Sequence, residues 1–363
     1  MRTTAVCLIL LLTHMQAAEP TADAWLAKTK IAPPLQVPPT LAAWTKQRGE
    51  IRAKLSELLG DLPPRPPVSA FQVISKEDKG TYTHETIQFD NGAGEIVKGY
   101  VFVPKTATAQ SKAPAILYCH WHGGQYDIGK QELLQTNATP VAPGPALAEA
   151  GYVVLGIDAP CFGERNGKGP DGPQQKGGAG EMTAAKFNLW AGRTLWGMIV
   201  RDDLIALDYL CTRPEVDAQR IGVTGISMGS TRSWWIMAMD DRPRAVVCVA
   251  CMTRYEELIR AGMLKAHGIY YFVPGMLQNF DSEAVIALGA PRAMLFMTGD
   301  QDGGSPVEGA RHIGEIVSRV YALHGGETVQ NFENAIYPGI GHVYLPEMWE
   351  KTVKWMDRWV KEE

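Results

Sequence analysis

The 363-residue chain lacks several features that would place it in a specialised class of protein. Its formal net charge is −4, so it has no excess of basic residues with which to bind nucleic acid. It has no internal repeat and no long low-complexity tract. What remains is an ordinary globular composition, 45% hydrophobic and 20% charged, which is enough to bury a sizeable core.

Cysteine is also scarce. The chain has six cysteines, and the five that follow Cys7 cannot all pair with one another. Cys248 and Cys251 have the C-x-x-C spacing of a metal or redox site, but no second pair and no histidines at zinc spacing accompany them. Neither a metal site nor a redox site is therefore predicted. The sequence does not decide whether one disulfide forms among the other cysteines.

Residues 1–18 have the pattern of a targeting segment. Arg2 supplies a charged start, Val6 to Leu12 form an apolar run too short to span a bilayer, and Ala17 and Ala18 offer a small-residue cleavage region. The alternative is a helix of the core. The pattern predicts a signal peptide, and hence an exported protein, periplasmic or extracellular, with no membrane attachment after cleavage.

Residues 19–70 are predicted to form an N-terminal helical and proline-rich arm. Apolar residues recur at helical spacing from Leu41 to Leu59, and Gly60 provides a stop. Clusters of proline lie on both sides of this stretch. We expect a helix packed against the main body, followed by an extended segment.

Residues 71–363 are predicted to form one main domain. Three β-rich runs, at 71–74, 81–89 and 97–103, indicate an antiparallel opening to a sheet. Apolar runs then alternate with helical sequence, which predicts a mostly parallel sheet with helices on both faces. These runs are 115–119, 152–157, 221–224, 245–250, 293–297 and 332–336. Two stretches, 162–182 and 254–280, do not fit the alternation and are predicted to be loops at the mouth of a site. For 162–182 the alternative is a flexible surface loop without a role.

The most informative motif is Gly225-Ile-Ser227-Met-Gly229. It follows an apolar β-branched run and precedes helical sequence from Thr231 to Met239, which is the context of a nucleophile elbow. Such a turn holds a serine hydroxyl clear of the backbone, and glycines on either side allow close approach of strand, helix and substrate. Ser227 is therefore the candidate nucleophile.

A serine nucleophile needs a base and an acid that orients the base. His342, which follows the last predicted strand, is the candidate base. Asp302, which follows the strand before it, is the candidate acid, and Asp300 is the alternative. All of these lie just beyond the carboxyl ends of strands, where chemistry in such sheets is located.

Acyl transfer also needs donors for an oxyanion. The backbone N–H of Met228 is the first candidate, because it follows the nucleophile at a helix start. The turn from His120 to Gly124 should supply the second, with His122 favoured over Trp121. No carboxylate or third histidine stands at ligand spacing from these imidazoles, so no metal site is predicted.

Together with these motifs, further segments carry a resemblance to a known family. They are His120-Trp-His-Gly-Gly124, Asp158-Ala-Pro-Cys-Phe-Gly-Glu-Arg165, Arg213-Pro-Glu-Val-Asp217, Asp240-Asp-Arg-Pro243, Ala290-Pro-Arg292 and Gly299-Asp-Gln-Asp302. From about residue 58 onward the chain resembles the α/β-hydrolase superfamily, and within it the acetyl-xylan-esterase and dienelactone-hydrolase-like esterases. The resemblance implies an α/β-hydrolase catalytic domain over 71–363, a triad of Ser227, Asp302 and His342, and no cofactor.

The resemblance and the predicted export suggest a serine esterase acting on a small-molecule or oligosaccharide ester, such as an acetylated carbohydrate. Trp121 and Trp234 are candidates for stacking on a sugar, with core packing as the alternative. A glucuronoyl esterase would need a basic residue at the site, for which Arg165 and Arg193 are candidates. The sequence also leaves open a serine peptidase and a catalytically silent binding domain, and it does not decide the oligomeric state.

Overall fold

A computed structural model describes residues 21–362, so the predicted signal peptide lies outside the described residues. One nine-stranded sheet forms the centre of the molecule. Its strands are β1 (Gln72–Asp78), β2 (Tyr82–Asp90), β3 (Ile96–Pro104), β4 (Ala113–Cys119), β5 (Val153–Ile157), β6 (Val216–Ile226), β7 (Ala245–Val249), β8 (Ala293–Gly299) and β9 (Phe332–Tyr337).

Eleven α-helices are described in residues 21–362. They are α1 (Ala22–Leu26), α2 (Leu41–Leu59), α3 (Pro143–Glu149), α4 (Gly177–Trp190), α5 (Leu195–Thr212), α6 (Met228–Met239), α7 (Tyr255–Arg260), α8 (Met276–Asn279), α9 (Ser282–Ala287), α10 (Val307–Leu323) and α11 (Pro346–Met356). No helix in this part of the chain combines the length and the apolar character needed to cross a bilayer.

The strand order is β1-β2-β3-β5-β4-β6-β7-β8-β9. The first three strands pair antiparallel, β3 pairs antiparallel with β5, and the rest of the sheet is parallel. Strands β4, β5, β7 and β8 are buried along their whole length, as expected for parallel strands covered on both faces. The predicted α/β-hydrolase fold is confirmed, and each of its nine predicted strands is present.

Alternate residues of β4 enter two separate apolar layers. Leu117 and Cys119 pack in the layer that contains α2, α5, α6, α9 and α10, whereas Ile116 and Tyr118 pack in the layer that contains α3 and α11. This follows from the two-residue repeat of a strand, which sends successive side chains to opposite faces. The helices therefore cover both faces of the sheet, as predicted.

The N-terminal arm is joined to the main core by α2. Trp44 and Leu55 of this helix are fully buried in the same apolar layer as α6 and α9. Arg52 Nε donates to the carbonyl oxygen of Ala238 near the end of α6 at 2.9 Å, and Arg48 Nε donates to Leu288 O at 3.1 Å. The arm is thus packed on the sheet's helical cover, and Leu41–Leu59 is the helix that the sequence predicts.

The two stretches predicted as loops differ from each other. Helix α4 begins at Gly177, so the loop prediction for 162–182 is wrong in its last third. The stretch 254–280 contains the short helices α7 and α8 and two 3-10 turns. The five cysteines of the described chain are all free thiols, so no disulfide joins the ones left open by the sequence.

Candidate active site

Ser227 occupies the turn between β6 and α6 with φ of 60° and ψ of −122°. A residue other than glycine rarely adopts a positive φ, and such strain is concentrated at functional turns. A Cβ atom on either Gly225 or Gly229 would overlap the carbonyl oxygen of Cys119 in the neighbouring strand. The two glycines therefore allow β4 to approach the turn, which is the physical reason for the motif.

Asp302 and His342 lie together beyond the ends of β8 and β9. His342 Nδ1 is 2.8 Å from Asp302 Oδ2, and the carboxylate side chain is 1% exposed whereas the imidazole is 34% exposed. Burial alone would raise the pKa of Asp302, but the hydrogen bond and charge of His342 and the N–H of Gly304 outweigh it and lower that pKa. An ionised Asp302 fixes the Nδ1–H tautomer and leaves Nε2 of His342 available as a base.

Asp300 occupies a different position. Its Oδ1 accepts the backbone N–H of Gly339 at 2.7 Å, in the loop that precedes His342. Asp300 thus bonds to the backbone of the loop that precedes His342, whereas Asp302 contacts the imidazole of His342 itself. The geometry favours Asp302 as the orienting acid.

A cavity of about 630 Å³ brings the predicted groups together. Its lining includes Ser227, Asp302, His342 and His122, with further walls from the stretch 254–280. Within the described chain, Ser227 Oγ contacts Cys251 Sγ at 3.8 Å and makes no hydrogen bond with His342. Hydrogen bonds between catalytic groups are often long in the absence of substrate and tighten when it binds.

The predicted oxyanion donors belong to two segments, the start of α6 and the turn after β4. Met228 is the first residue of α6, where backbone N–H groups have no partner within the helix. In the turn after β4, the N–H of Trp121 donates to Glu132 Oε2 at 2.7 Å and is therefore occupied. The N–H groups of His122 and Gly123 have no hydrogen-bond partner in residues 21–362. The geometry thus favours His122 over Trp121.

The side chain of His122 is held at both nitrogens. Nδ1 accepts the N–H of Gly124 at 3.0 Å, and Nε2 lies 3.0 Å from Glu181 Oε2 on α4. Sequence reasoning missed Glu181, because α4 was predicted to be a loop up to Met182. It also missed Glu132, which gave no signal beyond being one carboxylate in a turn after β4.

The side chain of His120 also holds the backbone of this turn. It is almost fully buried, its Nδ1 lies 2.7 Å from Trp121 O, and its Nε2 accepts the N–H of Ala159 at 3.0 Å. Burial lowers the pKa of His120 well below its usual value, so the ring is neutral. Because both nitrogens are bonded to the backbone, His120 is a structural residue of the turn.

Three predicted substrate contacts are not brought to the cavity. Arg165 is buried and paired with Asp202 at 2.8 Å and with Glu95. Trp234 is buried in α6 and packs against other core aromatics. Trp121 is half-buried and packs against the apolar layer of α3 and α11. A guanidinium in a dry interior needs carboxylate partners, which explains why Arg165 turns inward.

Other polar side chains line the wall in their place. His267 Nε2 lies 2.9 Å from Gly304 O, and its ring stacks on Tyr271 with centroids 4.1 Å apart. Burial lowers the pKa of His267, so this imidazole is neutral. Lys265 also lines the cavity and forms no ion pair in residues 21–362. Lys265 is therefore a lysine of the cavity wall whose charge is not neutralised by a neighbouring carboxylate of the described chain. No group of three or more metal-ligating side chains is arranged to hold an ion in this described part.

Comparisons with known proteins place these features in a family. The model of the abhydrolase family matches residues 26–333 of the chain. YtaP of Bacillus subtilis (strain 168), provisionally named a hydrolase, is 34% identical over 315 residues, which covers 86% of this chain and 100% of YtaP.

Solved structures share the architecture. A protein from Bacteroides fragilis NCTC 9343, provisionally described as an acetyl xylan esterase, matches with a TM-score of 0.69 and 20% identity over 89% of this chain and 84% of its own. A glucuronoyl esterase from Solibacter usitatus matches with a TM-score of 0.65 and 20% identity over 90% of this chain and 98% of its own. At this identity the similarity shows a common fold.

Proposed function

The chain belongs to the abhydrolase family, and from that premise we propose that it is a serine esterase that hydrolyses carboxylic esters through an acyl-enzyme on Ser227. One observation carries the proposal. A serine in a strained strand-to-helix turn and a carboxylate–imidazole pair joined at 2.8 Å line the same cavity. These are the nucleophile, acid and base that acyl transfer requires.

In the proposed reaction, Nε2 of His342 removes the Ser227 proton as Oγ attacks the ester carbonyl. The carbonyl oxygen becomes an oxyanion, held by the N–H groups of Met228 and His122. The intermediate collapses when the protonated His342 gives its proton to the leaving alcohol. Water, deprotonated by His342, then attacks the acyl-enzyme and releases the acid. Asp302 keeps the imidazole oriented and stabilises its charged form.

An acetylated carbohydrate is the proposed substrate class. Support comes from the resemblance to acetyl-xylan esterases, from the shared fold with a structure described in those terms, and from the targeting pattern in residues 1–18. The same pattern supports export to the periplasm or beyond. No cofactor takes part in the proposed chemistry.

A glucuronoyl esterase is the second candidate, and one observation favours it. Lys265 is an exposed cation among the residues that line the cavity, where it can attract an acidic sugar or the oxygens of a uronate ester. The solved structure of a glucuronoyl esterase also shares the fold. The cavity lining offers no comparable observation in favour of a peptidase or a silent binding domain.

Labelling and turnover test the nucleophile. Ser227→Ala should lose fluorophosphonate labelling and should lower kcat for p-nitrophenyl acetate by about 10⁴-fold or more. Ser233→Ala is the matched control, because its hydroxyl lies in the α6 helix that follows Ser227 and donates to the backbone oxygen of Gly229 at 2.7 Å. Equal labelling of Ser227→Ala and the unaltered protein would end the proposal.

A substrate panel separates the two candidates. Acetylated xylan and methyl glucuronate esters are compared in the unaltered protein and in Lys265→Gln. If the natural substrate is a uronate ester, KM for the glucuronate ester should be about tenfold higher in Lys265→Gln than in the unaltered protein. KM for p-nitrophenyl acetate should change by less than about twofold. Preference for acetylated xylan, with no effect of Lys265→Gln, supports the first candidate instead.

A further inference from the structure

The cavity contains a second carboxylate–imidazole pair besides His342 and Asp302. His122 lines the cavity, and its Nε2 lies 3.0 Å from Oε2 of Glu181, which is 3% exposed. The two pairs differ in one respect. Nε2 of His342 has no hydrogen-bond partner among the described residues, whereas the second nitrogen of His122 accepts the N–H of Gly124 at 3.0 Å. His122 therefore has no nitrogen left with which to carry a proton for the substrate.

The bonding of His122 gives it a fixed orientation. Because Nδ1 accepts a hydrogen from Gly124, the ring proton resides on Nε2 and is donated to Glu181. The imidazole is thus tied to its own loop at one end and to α4 at the other. Its ring also stacks on Tyr270 with centroids 5.0 Å apart.

Glu181 joins its own helix α4 to two other segments, the turn that contains His122 and Tyr126 and the stretch that contains Tyr270. Besides His122, its Oε2 accepts the hydroxyl of Tyr126 at 3.2 Å, and its Oε1 accepts the N–H of Tyr270 at 3.5 Å. A Cβ on Gly268 would overlap Oε1, so a glycine stands where the carboxylate passes closest to the backbone. A buried carboxylate with these donors is satisfied only while the three segments keep their places.

We propose that Glu181 is a positioning residue that sets the backbone N–H of His122 for the oxyanion, an inference that rests on the proposed esterase function. The N–H that would bind the oxyanion belongs to the residue whose side chain Glu181 holds. Restraint at the side chain restricts rotation of the backbone beside Gly123 and Gly124, which both have positive φ. Preorganised donors are effective because no reorganisation is needed during the reaction.

The test compares steady-state kinetics with binding of a trifluoromethyl ketone. Ser227 Oγ bonds to the ketone carbon, the Ser227 proton passes to His342, and the carbonyl oxygen becomes an oxyanion. The inhibition constant of the ketone therefore reports the oxyanion donors, whereas KM for p-nitrophenyl acetate reports ground-state binding.

Glu181→Ala should lower kcat about 10²-fold and keep KM within about threefold, since small misplacements of catalytic groups have effects of that size. The inhibition constant of the ketone should rise by the factor by which kcat/KM falls. Glu181→Gln retains an oxygen that accepts from His122 and should lose less than about tenfold. Should Glu181→Ala fail to fold, Glu181→Asp, with a carboxylate one methylene shorter, replaces it under the same criteria.

Asn188→Ala is the matched control, because Asn188 is a buried polar residue of the same helix whose amide bonds to Ala184 O and to Arg193. An equal loss of kcat in Asn188→Ala, or a loss in Glu181→Ala without weaker ketone binding, would overturn the inference. Failure of the esterase proposal is distinguishable, because Ser227→Ala would then match the unaltered protein. A failure confined to Glu181 leaves Ser227→Ala inactive and Glu181→Ala active.

Discussion

The backbone N–H of Trp121 donates to the buried carboxylate of Glu132 at 2.7 Å, and the other oxygen of that carboxylate accepts the hydroxyl of Tyr118 at 2.6 Å. Glu132 thus joins strand β4 to the turn that contains His122. Burial raises the pKa of Glu132 to about 7, although both hydrogen bonds and the charge of Arg232 oppose that shift. An acid with such a pKa in the fold makes stability depend on pH.

Glu132→Gln should make the free energy of unfolding less sensitive to pH. In the unfolded chain Glu132 ionises near 4.5, so folding takes up a proton between pH 4.5 and about 7. Its contribution is present below pH 4.5 and is lost as pH rises toward 7, at up to about 1.4 kcal/mol per pH unit. Urea unfolding at pH 5, 6, 7 and 8 measures the difference between the two proteins.

Glu164→Gln provides the control for this pH series. The pKa of Glu164 is lowered, because its bonds to Lys98 and Lys130 outweigh its partial burial. Its titration therefore lies below the range tested, and its removal should leave the slope between pH 5 and 7 unchanged. Identical slopes for Glu132→Gln and the unaltered protein would contradict a raised pKa at Glu132.

Asp302→Asn and Asp300→Asn should have unequal effects on kcat. Loss of the Asp302 charge removes the group that fixes the tautomer of His342, and an effect of about 10³- to 10⁴-fold is expected. Asp300→Asn keeps an oxygen for the N–H of Gly339 and should change kcat less than about tenfold. Turnover of p-nitrophenyl acetate under saturating conditions decides between them, and the reverse ranking would assign the acid to Asp300.

Arg165→Leu should affect stability and leave substrate binding unchanged. The change removes the guanidinium between Asp202 and Glu95 and leaves a buried carboxylate short of a partner, at a cost of about 3–5 kcal/mol. KM of the folded fraction should stay within about twofold. Urea unfolding and KM are measured on the same preparation. An increased KM without a loss of stability would instead indicate that Arg165 binds the substrate.

Two glycine substitutions should have opposite signs. Gly229→Ala places a Cβ against the backbone of Cys119 and His120, which cannot move without disturbing β4, and should cost about 2–3 kcal/mol. Gly49→Ala lies in the exposed face of α2 with nothing nearby and should stabilise by about 0.5–1 kcal/mol. Thermal unfolding of both variants measures the contrast, and a neutral Gly229→Ala would show that the turn tolerates a side chain.

The sheet was predictable because its parallel strands are apolar runs with clear boundaries and its first three strands are rich in β-forming residues. Each predicted strand is present, and the elbow motif lies between β6 and α6 as its pattern indicates. The chain order of Ser227, Asp302 and His342 then located the candidate site, since parallel strands deliver their carboxyl ends to one edge.

The supporting residues could not be predicted in the same way. Glu181 is 59 residues from His122 in the chain, and the glycines at the start of α4 hid the helix that brings it there. Arg165 was wrongly expected at the substrate site, because a basic residue outside the predicted strands and helices is normally exposed. The sequence does not reveal that two buried carboxylates, those of Asp202 and Glu95, pair with it. Trp234 was similarly ambiguous, because α6 is buried on every side and offers no surface for a sugar.

The contacts between α2 and the main core also have a consequence for the order of folding. Arg52 reaches the end of α6 across 186 residues of chain, and Arg48 reaches Leu288 across 240. A ribosome releases Trp44 long before either partner exists. The arm can therefore make all of its contacts with the core only after Leu288 has been synthesised, when more than three quarters of the polypeptide has been made. Until then the side chain of Trp44 is exposed to solvent. Docking of α2 against the end of α6, the helix that follows Ser227, is thus a late event in the folding of each chain.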